Sequence, residues 1–194
     1  MWQFRLTVTL VSIFVLPNGT PAAALDKDLN DLMTHLAQQQ RGHTSFIERQ
    51  FIGILDRPIE SSGELFYTAP NHLEKRTLRP KFESLILERN IISLKREKFS
   101  RSFSLKTYPQ LGVLMTGILQ TLSGDFSALN RTFSPSFEST TNGWQLALTP
   151  RDPKIAALIS KVLLLGNEDE IHRIEVKRGN GDYSILILKL ILDH

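Results

Sequence analysis

Five histidines, His35, His43, His72, His172 and His194, are the natural candidates for metal or acid–base chemistry in a chain without cysteine. They form no H-x-x-x-H or H-E-x-x-H pair, and a zinc site without thiolates would have to gather His and carboxylates from distant segments. Glu168-Asp169-Glu170, beside Gly166-Asn167, lacks the alternating oxygen ligands of a calcium loop and reads as a solvated turn. Ser134-Pro135-Ser136 and Ser123-Gly124-Asp125 also read as turns, and no G-x-S-x-G elbow, Walker-type loop or G-x-G-x-x-G stretch occurs. The sequence thus offers no catalytic set, no metal site and no cofactor motif, and the reading is a binding protein rather than an enzyme. Glu48 and Arg49, beside Phe46 and Phe51, are open to two readings: polar groups at the mouth of a site, or an ordinary partly exposed strand pair.

The more informative chemistry is apolar. No charged residue occurs between Lys106 and Asp125, and Leu111, Leu114, Met115, Ile118, Leu119 and Leu122 recur at helical intervals behind Pro109. Such a helix must be covered on most sides. Ahead of it, strand signals come in quick succession over 45–55, 63–68, 73–78, 83–88, 91–95 and 99–105. Asp56-Arg57-Pro58, Ala69-Pro70-Asn71, Arg79-Pro80-Lys81 and Arg89-Asn90 supply the turns between them. Behind it, weaker strand signals over 126–129 and 131–139 lead to Asn142-Gly143 and a strand over 144–148. A short helical segment over 154–160 and strands over 161–165, 170–177 and 183–192 close the chain, the last two joined at Asn180-Gly181. Short strands with hairpin-length loops predict an antiparallel meander, not a βαβ fold. An amphipathic helix over 25–40 opens the folded part, with Asp26 and Asp28 in its first turn and Gly42 ending it.

At 194 residues the chain is one domain's length, and its hydrophobic fraction of 41% with 22% charged residues is that of a globular protein. The formal charge of +3 is spread among acidic residues, so no nucleic-acid face is expected. Residues 1–24 read as a secretory signal. Arg5 precedes an uncharged core, Leu6 to Leu16, too short for the roughly 20 residues that span a bilayer, and Pro21-Ala22-Ala23-Ala24 supplies a small-residue cleavage site. Cleavage after Ala24 leaves a domain over 25–194 with no disulfide and no lipidated cysteine.

Several segments then fall in a telling order. Phe46-Ile47-Glu48-Arg49-Gln50-Phe51 follows the first helix. Gly63-Glu64-Leu65-Phe66-Tyr67-Thr68-Ala69-Pro70-Asn71-His72-Leu73 reads G-x-L-x-Y-x-x-P-x-x-L, and Trp144 to Pro150 reads W-x-L-x-L-x-P ahead of Lys161 to Gly166, Ile171 to Val176 and the Asn180-Gly181-Asp182 hairpin. This order, over about residues 25 to 190, resembles the LolA-like family, periplasmic carriers of outer-membrane lipoproteins. The resemblance implies an α+β fold: an incomplete antiparallel β-barrel, a strongly curved sheet with helices covering its concave face. It implies a cavity for acyl chains, with Leu65, Tyr67, Leu111, Leu114, Met115, Ile118, Leu122, Ile185 and Ile187 as lining candidates. The partners implied are a lipoprotein or other lipid-tailed cargo, an inner-membrane donor complex and an outer-membrane acceptor, with the carrier a monomer. The last strand, apolar on both faces, is expected to be covered on both. The family's Arg before the strand-ending Pro, which helps to hold the lid closed, is replaced by Ala69. A regulatory module of the same fold that senses lipids or lipoproteins is the alternative, although its second C-terminal domain is not expected in 194 residues.

Overall fold

Turn chemistry and alternation along the chain produce one continuous sheet. The computed structural model describes residues 22–191, with side chains from residue 28. Helix α1 (Ala22–Leu36) leads to β1 (Arg41–Phe51), β2 (Ile59–Thr68), β3 (His72–Arg79), β4 (Glu83–Glu88), β5 (Ile91–Arg96) and β6 (Phe99–Ser104). Helices α2 (Pro109–Leu122) and α3 (Phe126–Thr132) follow, then β7 (Phe133–Thr140) and β8 (Gly143–Pro150). The chain continues through α4 (Pro153–Ala156), β9 (Ile159–Asn167), β10 (Glu170–Arg178) and β11 (Tyr183–Leu190). The 11 strands run β6-β5-β4-β3-β2-β1-β11-β10-β9-β8-β7, every neighbouring pair antiparallel. Among the described residues β6 and β7 are unpaired edges, so the curved sheet is a barrel left open, and the helices cover its concave face. The seam between the two meanders is the β1–β11 ladder, with Phe46 opposite Leu188 and Glu48 opposite Leu186. The secretory segment predicted over 1–24 lies almost wholly outside the described residues.

The helix-covered face carries two apolar clusters. Leu29, Leu32, Met33 and Leu36, spaced to share one face of α1, join Phe46, Leu129, Phe133, Leu146, Leu148, Val162 and Leu164 in the larger. Tyr67, Leu73, Leu85, Leu87, Ile92 and Met115 form the smaller, and Ile118 of α2 packs against both. Helix α2 is therefore the wedge between the two halves of the sheet, which explains why its sequence carries no charge. At 14 residues it falls short of a bilayer span, and among the described residues no helix is long and apolar enough to cross one.

Three local expectations are corrected. Gly42 does not end α1 but lies within β1, and α1 already stops at Leu36. Because α1 starts at Ala22, Asp26 and Asp28 fall beyond its first turn, which holds no acidic residue. The segment 126–129 is helical rather than extended, because the Asp125 carboxylate caps it by accepting from the Ala128 N–H at 2.8 Å, and Leu129 is fully buried. Gly63 is required for space. Its φ lies outside the left-handed region, but a Cβ there would stand 2.0 Å from the Arg76 carbonyl oxygen, where β2 and β3 shift register.

Candidate functional site

Between α2 and the sheet lies a cavity of about 110 Å³. Its apolar wall is Leu65 and Tyr67 from β2, Leu73 from β3, Ile118 and Leu122 from α2, and Leu188 from β11, with Ile171, Ile174 and Leu190 toward the other side. Strand register assembles it. Thr44 of β1 pairs with Leu65 on one side and Leu190 on the other, while Gly42 pairs with Tyr67. Gln39, Asp169, Glu170 and His172 form a polar rim.

The rim is held from two directions. Gln39, just past α1, donates through Nε2 to the Asp169 carbonyl at 3.0 Å and to its carboxylate at 2.9 Å. Trp144 donates its indole N–H to the Glu168 carbonyl at 2.9 Å, and its ring lies so close over Gly166 that a Cβ there would stand 2.2 Å from Cζ2. The Trp of the W-x-L-x-L-x-P strand and the glycine of β9 therefore fix the β9–β10 turn that carries the rim.

Of the nine lining candidates, Leu65, Tyr67, Ile118 and Leu122 face the cavity. Met115 is buried beside Tyr67 in the smaller cluster, Leu111 packs against that cluster, and Leu114 packs against the larger one, so these three support the wall rather than form it. Ile185 and Ile187 lie on the opposite face. In β11 it is Ser184, Leu186 and Leu188 that point inward, and Ile187 is 38% exposed. Among the described residues the outer face of β11 is therefore partly open to solvent rather than covered. Lys189, in the phase of Ile185 and Ile187, was the available clue.

Glu48 and Arg49 point to opposite faces. Arg49 pairs outside with Glu60 at 2.8 Å. Glu48 is only 4% exposed on the inner face, where the Lys75 ammonium and the Ser61 hydroxyl both donate to its Oε2. Lys75 also stands 5.0 Å from the centre of the Phe46 ring, and its backbone is paired with that of Leu65. This ion pair sets a buried carboxylate and a partly buried ammonium on the helix-covered face. The Tyr67 hydroxyl is buried there too, with no hydrogen-bond partner among the described residues, and burial pushes its phenol above the ordinary value of 10.0. Ala69 packs as a small apolar residue against the smaller cluster. Side-chain hydrogen bonds from α2 reach only α3 and its own turns, so among the described residues the helix is held to the sheet by apolar packing alone. Also among the described residues, no group of three or more His, Asp or Glu is placed to hold a metal ion.

No curated protein sequence matches the chain. Among solved structures it is similar to a LolA superfamily protein from Nitrosomonas europaea, at 13% identity over 88% of this chain and 94% of that one, with a TM-score of 0.46. It is similar to the lipoprotein LppX of Mycobacterium tuberculosis at 10% identity, over 87% and 94%, with a TM-score of 0.46. The MucA/MucB complex of Pseudomonas aeruginosa matches at 12% identity over 83% of this chain and 55% of that one, with a TM-score of 0.45. The family described as outer membrane lipoprotein carrier protein LolA-like matches residues 19–189, and the chain belongs to that LolA-like family.

Proposed function

We propose that this protein is a periplasmic carrier that takes up the acyl chains of lipoproteins, or of another lipid, and moves them from an inner-membrane donor complex toward an outer-membrane acceptor. The observation that carries this reading is the apolar cavity between α2 and the sheet, closed by a charge-free helix and rimmed by polar groups. Residues 1–24 serve as the export signal in this reading.

Size decides how such a carrier must work. An apolar cavity of about 150 Å³ is filled by one benzene molecule, so about 110 Å³ admits only a few methylene groups. A whole acyl chain requires α2 to part from the sheet, and the space it opens is apolar on both sides. Each buried CH₂ contributes about 0.8 kcal/mol, but a bilayer offers the chain the same gain. Transfer therefore runs on small differences in affinity between donor, carrier and acceptor, and no chemical step is needed. With Ala69 in place of the family's lid arginine, closure rests on packing rather than on a polar latch. Mass spectrometry of lipids that co-purify with the exported protein tests the reading. An acyl lipid at a fixed ratio to protein is expected, and lipid-free protein that also retains no fatty acid when offered it would refute it.

A further inference from the structure

Tyr67 places a hydrogen-bond donor where the described residues offer nothing to accept it. The residue is 6% exposed, its ring lies in the cavity wall beside Leu65 and Leu73, and it shares a buried cluster with Met115 of α2. Its hydroxyl is shut off from solvent and unpaired among the described residues. Phenylalanine would fill the same volume without stranding a polar atom, so in the closed form the hydroxyl only costs stability. That cost is removed when an acceptor enters as α2 parts from the sheet. Burial favours the neutral phenol, which can donate to a carbonyl oxygen.

We infer that the Tyr67 hydroxyl is a binding group for the carbonyl oxygen at the head of an acyl chain, so that the cavity selects fatty acids or their esters over bare hydrocarbon. The inference rests on the carrier reading above and adds to it a polar contact that an apolar cavity alone would lack. It also gives the empty, closed form a built-in disadvantage against the loaded one, because only the loaded form satisfies the hydroxyl.

Retention of radiolabelled palmitic acid, methyl palmitate and hexadecane by wild-type protein and by Tyr67→Phe on gel filtration tests it. One neutral hydrogen bond corresponds to about a tenfold change in affinity. Tyr67→Phe is expected to bind palmitic acid or methyl palmitate about tenfold more weakly and hexadecane unchanged, while its lipid-free form melts at or above the wild-type temperature. Loss confined to the acid or to the ester identifies which carbonyl is held. Wild-type protein that retains all three ligands, with a variant that matches it on each, overturns the inference and leaves the carrier reading standing. So does an equal loss on all three, which marks a packing defect. Wild-type protein that retains none of them overturns both.

Discussion

Removing Lys75 while leaving Glu48 should be far more damaging than removing both. Glu48 is 4% exposed on the inner face of β1, and with Lys75→Met its carboxylate keeps the Ser61 hydroxyl as its remaining partner. Breaking a buried pair from one side typically costs about 3–5 kcal/mol. The Lys75 side chain is 25% exposed, so water screens part of that attraction, and Ser61 remains, which lowers the expected cost to about 2 kcal/mol. The double variant Glu48→Leu/Lys75→Met strands no charge and replaces the pair with apolar side chains in contact with Phe46, so a net change within about 1 kcal/mol is expected.

Urea denaturation followed by tryptophan fluorescence measures both. With a slope of about 2 kcal/mol/M, Lys75→Met should lower the midpoint by about 1 M and the double variant by less than about 0.5 M. The retained slope matters, since a changed slope would mean a changed denatured state. If Lys75→Met moves the midpoint by under about 0.2 M, or if its effect and that of Glu48→Leu alone simply add in the double variant, the pair is not coupled and the argument from burial is wrong. Acyl-probe binding by the double variant supplies a second decision. The reading that assigns the ion pair to holding β1, β2 and β3 together expects binding to persist.

Ile118→Glu puts a carboxylate on the α2 surface that faces the cavity, at a cost of several kcal/mol unless it protonates, so a fluorescent fatty-acyl probe should bind much more weakly while far-UV circular dichroism is retained; undiminished binding would remove Ile118 from the path of the chain. Gly63→Ala drives a methyl group against the Arg76 carbonyl and should destabilise the protein by about 1–3 kcal/mol or more, read as a fall in Tm; an unchanged Tm would show that β2 and β3 can separate freely there. Asp182 accepts from the Gly53 N–H at 3.0 Å and from Asn180, and these bonds, with Arg178 nearby, hold its carboxyl below the ordinary 3.8. Its contribution is therefore present above about pH 4 and lost as the pH falls below it; Asp182→Asn should flatten that acid limb of stability, and an identical limb would exclude the residue. Export should remove residues 1–24, so N-terminal sequencing of the periplasmic form should begin at Leu25; a longer membrane-held product would contradict the leader assignment.

Local signals in this chain were strong where one physical requirement dominated. Pro109 and an uncharged run with helical spacing set α2 at Pro109–Leu122, and Asn180-Gly181 set the last hairpin. Signals failed where two requirements competed. Phe126 and Leu129 look like strand residues, yet Asp125 caps a helix there, and the capping side chain decides. Gly42 carries a helix-stop signal, but it is drawn into β1 by its ladder pairing with Tyr67, and α1 has already stopped at Leu36.

The cavity itself was only half legible, and the reason lies in register. Tyr183-Ser184-Ile185-Leu186-Ile187-Leu188 is apolar in both phases, so within these six residues alternation does not say which set turns inward, and the local hint is the single Lys189 that follows. The choice is made by long-range pairing: Phe46 and Thr44 of β1, already committed to the helix-covered face, lie opposite Leu188 and Leu190. The rim is further still from local reasoning, because Gln39 and Asp169 stand 130 positions apart in sequence and meet only once β1, β11, β10 and β9 have aligned in order. The same holds for Tyr67. Its place on a strand could be read from the chain, but whether its hydroxyl has a partner depends on every element packed over it, and α2 presents Met115, Ile118 and Leu122, none of which can accept a strong hydrogen bond. What most distinguishes this cavity from a plain apolar core is thus a property that no segment of the sequence possesses alone.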